Sequence, residues 1–206
     1  MTYKTEQEIF WSGAFGDEYS TRNAGDFWVA SNTAFFSRIF ARTGKLASII
    51  EVGANRGLNL QAIKNLLPDA ELSAVEINRS AYDILLEWGG CKEVFHQSAL
   101  DFKAKQPYQM AFVKGVLIHI NPEFLGQIYD VLYDSSSRWL LVAEYYNPSP
   151  VEINYRGHSG KLFKRNFAGE LMDRFPSLKL VDYGFIWHRD PSFPQDDITW
   201  FLLEKG

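Results

Sequence analysis

The sequence has few of the features that mark secreted, disulfide-bonded or membrane-spanning proteins. It has 206 residues and one cysteine, Cys91, which excludes an internal disulfide framework and a thiolate metal cluster. No stretch reaches the ~18 consecutive apolar residues of a membrane span. Glu6 and Glu8 interrupt the N-terminus, where a signal peptide would keep an apolar run. We therefore expect a cytoplasmic protein without a membrane partner.

The sequence also has no surplus of basic residues and no metal-binding pattern. It contains 21 Lys and Arg residues against 25 Asp and Glu residues, with no basic run or tail. Nucleic-acid-binding proteins need such a run to neutralise phosphates, so nucleic acid is not an expected partner. No metal is expected either, because metal-ligand spacing is missing among the four histidines, which are His96, His119, His158 and His188.

What the sequence does contain is an alternation of apolar runs and amphipathic stretches. Leu46–Val52 is a continuous β-branched run, typical of a strand buried on both faces, and an amphipathic helical pattern follows it. Asn78 and Asn166 stand where helix N-caps are expected, and Asn121 precedes a proline at the first helical position. The predicted strands are residues 46–52, 70–76, 93–98, the first half of 108–120, 138–146, 178–188 and 197–204.

The order of these segments predicts the fold class. Repeated βα units need right-handed crossovers, which produce a mostly parallel sheet with helices on both faces. The last two predicted strands have no helix between them and indicate an antiparallel hairpin. We predict a doubly wound, mostly parallel, seven-stranded Rossmann-like α/β sheet with this C-terminal hairpin. At this length we expect one domain, with an N-terminal helical and aromatic cap over 1–45 and an α/β core over 46–206.

Two glycines follow the first predicted strand in the stretch IIEVGANRGLNL. In an open α/β sheet the ligand lies beyond the carboxyl ends of the strands, where glycines let the backbone approach it. The spacing of Gly53 and Gly57 differs from the G-x-G-x-x-G dinucleotide fingerprint. Asn55 stands between them, and asparagine readily adopts a positive φ. Glu76 ends the second predicted strand, where a carboxylate accepts hydrogen bonds from ribose hydroxyls in such folds.

This pattern resembles the first motif of class I S-adenosylmethionine-dependent methyltransferases. The chain as a whole is similar to the methyltransferase family associated with pseudaminic acid biosynthesis, through FWSGAFGDEYSTRN (10–23), GVLIHINPE (115–123), EYYNPSPVEINYRGH (144–158) and GKLFKRNFAGELM (160–172). The resemblance implies an enzyme that uses S-adenosyl-L-methionine to methylate a small polar acceptor, such as a sugar nucleotide or a nonulosonic acid. A nicotinamide-dependent oxidoreductase and a non-catalytic nucleoside-binding module of the same fold stay open as alternatives.

The resemblance also implies a cofactor site at the strand ends. Its predicted members are Glu51, Gly53, Ala54, Asn55, Gly57, Glu76, Ile77, Ser98, Ala99, Leu100, Lys114, Gly115 and Val116. The alternatives are a Glu51 that simply caps or pairs at the strand end, an ordinary loop at 98–101 and a solvated charge at Lys114. Tyr19 and Arg22 of the cap are predicted to fold over the cofactor, because an arginine can bind the methionine carboxylate bidentately. The alternative for Arg22 is a pair with a surface acid, and Trp28, Phe35 and Phe36 are expected to form a helix face in the core.

Acceptor residues are predicted after the fourth and fifth strands. His119 follows the fourth strand and is the first candidate to orient or deprotonate an acceptor; the alternative is a histidine that packs a helix N-terminus. The loop 144–160 crowds polar and aromatic groups and has few apolar residues, and loops of this kind usually bind something. His119, His158 and Tyr146 are therefore the predicted catalytic residues. The predicted substrate-binding residues are Tyr145, Asn147, Tyr155 and Arg156, the last suited to a carboxylate or phosphate.

Overall fold

A computed structural model of the chain describes residues 2–22 and 25–206; Asn23, in the first family-like stretch, lies outside them. Three helices come first, α1 (Glu6–Ser12), α2 (Ala14–Arg22) and α3 (Asp26–Thr43). A capping box between Thr5 and Glu8 starts α1, because each side chain accepts a backbone N–H of the other residue. Phe35 and Phe36 of α3 are buried, as predicted.

Strands and helices then alternate along the chain. The order is β1 (Ser48–Val52), α4 (Leu58–Leu66), β2 (Glu71–Glu76), α5 (Arg79–Trp88), β3 (Glu93–His96), β4 (Tyr108–Lys114), α6 (Leu125–Ser135), β5 (Ser136–Glu144), β6 (Val151–Glu152), β7 (Phe163–Lys164), α7 (Phe167–Arg174), β8 (Leu178–Ile186) and β9 (Ile198–Lys205). Short 3-10 helices cover Ala99–Asp101, Leu117–His119 and Pro122–Phe124.

Seven of these strands form one sheet in the order β3-β2-β1-β4-β5-β9-β8. The first five are parallel, and β9 pairs antiparallel with both β5 and β8. The predicted mostly parallel seven-stranded sheet with a C-terminal hairpin is confirmed. The chain order reverses between β1 and β4, and ligands of open α/β sheets bind at such a switch point.

Apolar layers cover both faces of the sheet. One layer includes Ile49 of β1, Phe36 of α3 and Leu60 of α4; the other includes Ile50 of β1 and Ile128 of α6. All five side chains are fully buried. Because strands with both faces covered are apolar throughout, the continuous run in β1 follows from this arrangement.

The predicted helix caps form as expected. The side chain of Asn78 accepts the N–H of Ala81 at 2.9 Å, and the side chain of Asn166 accepts the N–H of Gly169 at 3.0 Å. The loop after β5 is better anchored than its sequence suggests, because Leu162 is buried in the core and β6 pairs with β7. Among residues 2–22 and 25–206, no helix is both long enough and apolar enough to cross a membrane.

Candidate functional site

A cavity lies at the carboxyl edge of the sheet, over the switch point between β1 and β4. Its volume, mouth included, is about 1380 Å³. Its lower wall, which we call the floor, is built from the segments 53–59, 75–78, 97–100 and 114–121, in which Gly57, Leu117 and Ile118 do not face the cavity. Its upper wall, which we call the roof, is built from Thr5, α1 and α2 as far as Ser20. Trp28 and Asn32 of α3 and Asp196 of the β8–β9 loop complete the lining.

The turn after β1 forms the centre of the floor. Gly53 and Asn55 have φ angles of 79° and 48°, so the predicted positive φ of Asn55 is present. The N–H groups of Gly53 and Ala54 both donate to the carbonyl of Val75, at 2.9 and 3.0 Å. A Cβ atom on Gly53 would lie 2.6 Å from Val116 Cγ2. Glycine is therefore required here, because the turn packs directly against the turn that follows β4.

Gly57 has a different role from the one predicted, because it does not line the cavity. Its φ is 80°, and a Cβ atom there would lie 2.5 Å from Leu85 Cδ2. Leu85 belongs to α5 and is fully buried. The second glycine of the motif thus lets α4 begin in close contact with α5, and the assignment of Gly57 to the cofactor is corrected.

Glu76 lies at the end of β2, lines the cavity and is buried. Its Oε2 accepts the N–H of Asn55 at 2.6 Å, and its Oε1 accepts the N–H of Asn78 at 2.7 Å. Burial raises the pKa of the Glu76 carboxyl, and these backbone bonds oppose the rise. Each carboxylate oxygen can accept a second hydrogen bond, so Glu76 can still bind a pair of hydroxyl groups.

Glu51 lies beneath the glycine turn and does not line the cavity itself. Its Oε1 accepts Nδ2 of Asn59 at 2.6 Å. Glu51 Oε2 and Asn59 Oδ1 are both buried without a hydrogen-bond partner in the described part of the chain. Burial raises the pKa of Glu51 to about 8. Of these two atoms, Asn59 Oδ1 belongs to a residue that lines the cavity, and Glu51 lies behind it.

Lys114 ends β4, lines the cavity and is half-buried. Burial lowers the pKa of its ammonium group, and the carboxylates of Glu51, Asp196 and Glu144 oppose this shift. Lys114 is therefore not the solvated surface charge that the sequence left open as an alternative. Gly115 and Val116, which follow it, also line the cavity.

Glu144, at the end of β5, was missed as a site residue. Its Oε1 accepts the N–H groups of Val116 and Leu117, at 2.9 and 3.0 Å, and the residue is buried. Burial raises the pKa of Glu144 to about 7. The carboxylate thus holds the start of the 3-10 helix that carries His119. A glutamate at a strand end gives no sequence signal for this contact, which joins β5 to the turn after β4.

His119 lines the cavity and is buried. Its Nδ1 donates to the carbonyl of Lys161 at 2.6 Å, which leaves Nε2 as the nitrogen with a free lone pair. Burial lowers the pKa of His119 to about 4, so the ring is neutral near pH 7. The ring centroid lies 4.4 Å from that of Trp11 and 5.0 Å from that of Tyr155. His119 is therefore placed where a neutral hydrogen-bond acceptor faces the cavity.

The predicted nucleoside residues also line the cavity, namely Ile77, Ser98, Ala99 and Leu100. Ser98 Oγ accepts the N–H of Leu100 at 3.1 Å and donates to the carboxylate of Glu8. Glu8 is buried and lines the cavity, although the sequence reading did not assign it to the site. The T-x-x-E capping signature at Thr5–Glu8 predicts the start of α1, and it gives no sign that the helix contacts Ser98.

The cap residues separate into those that reach the cavity and those that do not. Tyr19 lines the cavity, whereas Arg22 is exposed, with its guanidinium 5.7 Å from the Tyr19 ring centroid, and is not part of the lining. Trp28 is half-buried and lines the cavity, so its predicted place in the core face is wrong. Trp28 has the helical spacing of a core residue. Periodicity cannot show whether a residue on the inner face of a helix packs in the core or lines a cavity.

The predicted acceptor loop lies beside the cavity and not in its lining. His158 is exposed, and its ring packs 5.0 Å from Phe10 and 5.8 Å from Phe15. Tyr155 exchanges backbone hydrogen bonds with His158 at 2.9 and 3.0 Å. The aromatic groups of the loop therefore bury part of their surface against the roof. This position separates His158 from His119, with which it was predicted to act.

The other predicted loop residues are also outside the lining. Tyr146 is 41% exposed and lies near Phe201 of β9. Asn147 is half-buried, and its Nδ2 donates to the carbonyl of Ser149 at 2.5 Å. Arg156 is exposed, with a φ of 53°. Tyr145 is half-buried, and burial raises its pKa together with the nearby Asp196 and Tyr19.

No protein-family model matches the sequence, and no curated protein matches it. Solved structures are similar in fold. Magnesium protoporphyrin IX methyltransferase from Synechocystis PCC 6803 with bound S-adenosylmethionine superposes with a TM-score of 0.72 over all of both chains, at 10% identity. The 1,6-didemethyltoxoflavin-N1-methyltransferase from Burkholderia thailandensis, with bound 1,6-didemethyltoxoflavin and S-adenosylhomocysteine, gives 0.68 at 15% identity, covering 97% of this chain and 86% of that one.

The chain has the Rossmann-like fold of the S-adenosylmethionine-dependent methyltransferases. A further enzyme of this kind, from Clostridium acetobutylicum ATCC 824, is similar over 93% of this chain and 98% of its own, with a TM-score of 0.64 and 8% identity. At these identities the similarity establishes the fold, and any function must be argued from the site.

Proposed function

We propose that the protein is an S-adenosylmethionine-dependent methyltransferase that acts on a small polar acceptor. The observation that carries the proposal is the buried carboxylate of Glu76 beside the Gly53 turn, in a cavity at the switch point of the sheet. A carboxylate in this position accepts hydrogen bonds from a ribose in dinucleotide-binding folds of similar architecture. Structures of similar fold that contain S-adenosylmethionine or S-adenosylhomocysteine support the same cofactor.

The residues of the cavity fit the parts of this cofactor. Glu76 would hold the ribose hydroxyls, and the segment Ser98–Leu100 would hold the adenine. The unsatisfied Oδ1 of Asn59 supplies an acceptor for the methionine amine, and Glu51 would act from behind it by holding the Asn59 side chain. Lys114 supplies a positive charge for the methionine carboxylate, a role that Arg22 was predicted to fill. Buried polar atoms without partners are rare in native proteins, and a ligand is one reason for them.

The chain itself has to align an acceptor and exclude water. When bound, S-adenosylmethionine supplies a methyl group already activated on a sulfonium sulfur. His119 can accept a hydrogen bond from an acceptor through Nε2, because its Nδ1 is engaged by Lys161. A base of this kind contributes ~10²–10⁴-fold when the acceptor must lose a proton. The roof covers the cavity and limits the access of water.

The acceptor is proposed to be a sugar nucleotide or a nonulosonic acid, on the resemblance to the pseudaminic acid family. Two neighbours of similar fold are named for small-molecule substrates, magnesium protoporphyrin IX and 1,6-didemethyltoxoflavin. We also propose that residues 1–45 and 46–206 act as one domain, because the roof and the floor form one cavity.

Glu76→Ala tests the cofactor site. The change removes a charge-assisted acceptor, and S-adenosylmethionine affinity is expected to fall about ten- to a hundredfold by calorimetry. Glu71→Ala is the control, because Glu71 is the exposed first residue of the same strand. Glu76→Gln keeps one oxygen for the N–H of Asn55 and separates loss of the ligand contact from loss of the turn.

Unchanged affinity in both Glu76 variants would contradict the proposed site. Mass spectrometry of the purified protein should detect bound S-adenosylhomocysteine, which a nicotinamide-dependent oxidoreductase would not retain. Transfer of a labelled methyl group to metabolites then separates an enzyme from a non-catalytic binding module.

A further inference from the structure

Asp196 is a carboxylate that lines the cavity from the loop between β8 and β9. Within the described residues it takes part in no hydrogen bond through its side chain and in no ion pair. Its two neighbours in sequence are firmly held. Gln195 is buried, and its Nε2 donates to the carbonyl of Ser31 and to Oδ1 of Asn32, both at 3.2 Å.

Asp197, the residue after Asp196, is anchored by its own contacts with His188. Its carboxylate accepts the N–H of His188 at 2.9 Å and contacts the ring Nδ1 at 2.8 Å. Its φ of 52° lies in the left-handed region, which aspartate adopts more readily than most non-glycine residues. The loop therefore keeps its backbone in place on both sides of one carboxylate that has no partner of its own.

Groups from three elements show where that carboxylate lies. Burial raises the pKa of Tyr19 on α2 and of Tyr145 after β5, and the charge of Asp196 raises both further. The same charge opposes the lowering of the pKa of Lys114 at the end of β4. Strand pairing gives the same position, because Asp196 lies two residues before β9, whose Thr199 pairs with Glu144 at the carboxyl end of β5. Asp196 thus lies at the β5 end of the cavity, whereas Glu76 and Ser98, at the ends of β2 and β3, line the proposed nucleoside end.

The charges at this end favour a cationic ligand. Glu51, Glu144 and Asp196 all act on the ammonium group of Lys114, but burial raises the pKa of Glu51 to about 8 and that of Glu144 to about 7, and neither residue lines the cavity. Asp196, an exposed residue of the lining, is therefore the carboxylate of this group that a ligand meets. Two arginines near Tyr19, Arg22 and Arg156, are exposed and do not line the cavity. Arg56 also lines the cavity, but its guanidinium donates to the carbonyl of Ser20 in the roof, and Lys114 is the proposed partner of the methionine carboxylate. An acceptor that entered with a carboxylate, as the sequence suggested through Arg156, would meet the carboxylate of Asp196.

Aromatic rings complete the surroundings. Trp11, Tyr19 and His119 line the cavity, with the Trp11 ring centroid 5.2 Å from that of Tyr19 and 4.4 Å from that of His119. The ring of Tyr155 lies 5.0 Å from His119. Aromatic faces attract cations through the ring quadrupole, most strongly when water is excluded. A carboxylate beside several rings is a common means of binding an ammonium group.

We propose that Asp196 is an acceptor-binding residue, and that the end of the cavity formed by Asp196, Tyr19, Trp11 and His119 binds a protonated amine on the acceptor. This inference rests on the proposed methyltransferase function, and it favours an amino compound, such as an amino sugar, over the nonulosonic acid that the family resemblance suggested. The Asp196 carboxylate accepts hydrogen bonds from the ammonium group, and the rings cover its apolar side.

Three monosaccharides of similar size test the proposal, because they differ in charge. Binding of D-glucosamine, D-glucose and D-glucuronate is measured by saturation-transfer NMR near neutral pH, with S-adenosylhomocysteine at saturation. The wild type is expected to bind glucosamine about tenfold more tightly than glucuronate, with glucose between them. Asp196→Asn is expected to reduce this preference to about twofold while S-adenosylhomocysteine affinity stays unchanged.

Asp69→Asn is the matched control. It removes one negative charge from an exposed position before β2, at the opposite edge of the sheet, and should keep the wild-type preference. Any of three results would overturn the amine site. The wild type could bind the three sugars equally, it could bind none of them up to about 50 mM, or Asp196→Asn could keep the wild-type preference. Failure of S-adenosylhomocysteine to bind the wild type would instead contradict the proposed function.

Discussion

The floor and the roof of the cavity are held together by different kinds of contact. In the floor, buried carboxylates accept hydrogen bonds from the backbone of the adjoining turn, as Glu76 does from Asn55 and Asn78. In the roof, α1 and α2 are tied to the floor largely by side chains. Ser20 Oγ donates to Oδ1 of Asn55 at 2.7 Å, and Asp17 accepts a hydrogen bond from the Asn78 side chain at 2.9 Å.

This difference indicates which wall can move. The floor continues directly into the apolar layers of the sheet, so its turns change only if the core changes. The roof can separate when its polar contacts exchange their partners for water and the Trp11 ring leaves the His119 ring. The polar part of this change costs little, because water replaces each bond. A ligand must enter such a covered cavity, and the roof is the wall that can open for it.

The largest effect is expected from a change in the floor. Gly57→Ala adds a Cβ atom 2.5 Å from the buried Leu85 and places alanine at a φ of 80°. We expect the free energy of unfolding to fall by about 2–4 kcal/mol in urea titrations. Gly44→Ala is the control, because Gly44 has a φ of 70° with no atom within 4 Å of the added Cβ. Equal losses in both variants would show that contact with Leu85 contributes nothing.

An intermediate effect is expected from Glu51, which lies below the floor. Because burial raises its pKa from 4.5 to about 8, the folded protein keeps a proton that the unfolded chain releases in this range. Stability supplied by the neutral carboxyl is therefore lost as the pH rises from about 4.5 to 8. Glu51→Gln cannot ionise and should be more stable than the wild type by about 1–3 kcal/mol near pH 9.

The comparison of wild type and Glu51→Gln across pH isolates this one group. Glu144 also has a raised pKa, of about 7, and it contributes to the pH dependence of both proteins equally. The free energies of unfolding of the two proteins should therefore converge as the pH falls toward 5. A constant difference between them at all pH values would mean that the Glu51 carboxyl is already ionised in the folded protein.

The smallest effect on global stability is expected from the roof. Glu8→Ala removes the carboxylate that accepts the N–H of Thr5 and the hydroxyl of Ser98. The free energy of local opening of α1 should fall by about 1 kcal/mol, which is measured as faster hydrogen exchange of its amides. The urea midpoint should stay near that of the wild type. Glu6→Ala is the control, because the Glu6 side chain is 87% exposed.

A fall in the urea midpoint as large as that of Gly57→Ala would contradict the separation of roof and floor. In that case α1 would unfold together with the sheet, and the cavity would have no wall that opens by itself. Unchanged exchange in both Glu8→Ala and Glu6→Ala would show that the contact with Ser98 does not hold the helix.

Much of the fold could be predicted from the sequence because its signals are local. The apolar run of β1, the caps at Asn78 and Asn166 and the positive φ of Asn55 each depend on a few neighbouring residues. The alternation of strands and helices then limits the topology, since parallel neighbours need right-handed crossovers. The position of Glu76 at the cavity follows from the same reasoning, because strand ends meet at one edge of the sheet.

The tertiary structure alone decided which distant segments complete the cavity. Glu8 and Asp196 line it, although nearly the whole chain separates them, and His158 is held outside it by the rings of Phe10 and Phe15. No periodicity or spacing encodes such meetings, because side chains far apart in sequence are brought together only by the packing of whole elements. The sequence by itself therefore determined the sheet and the turns of the floor, while packing between remote segments determined the roof and the surroundings of the acceptor.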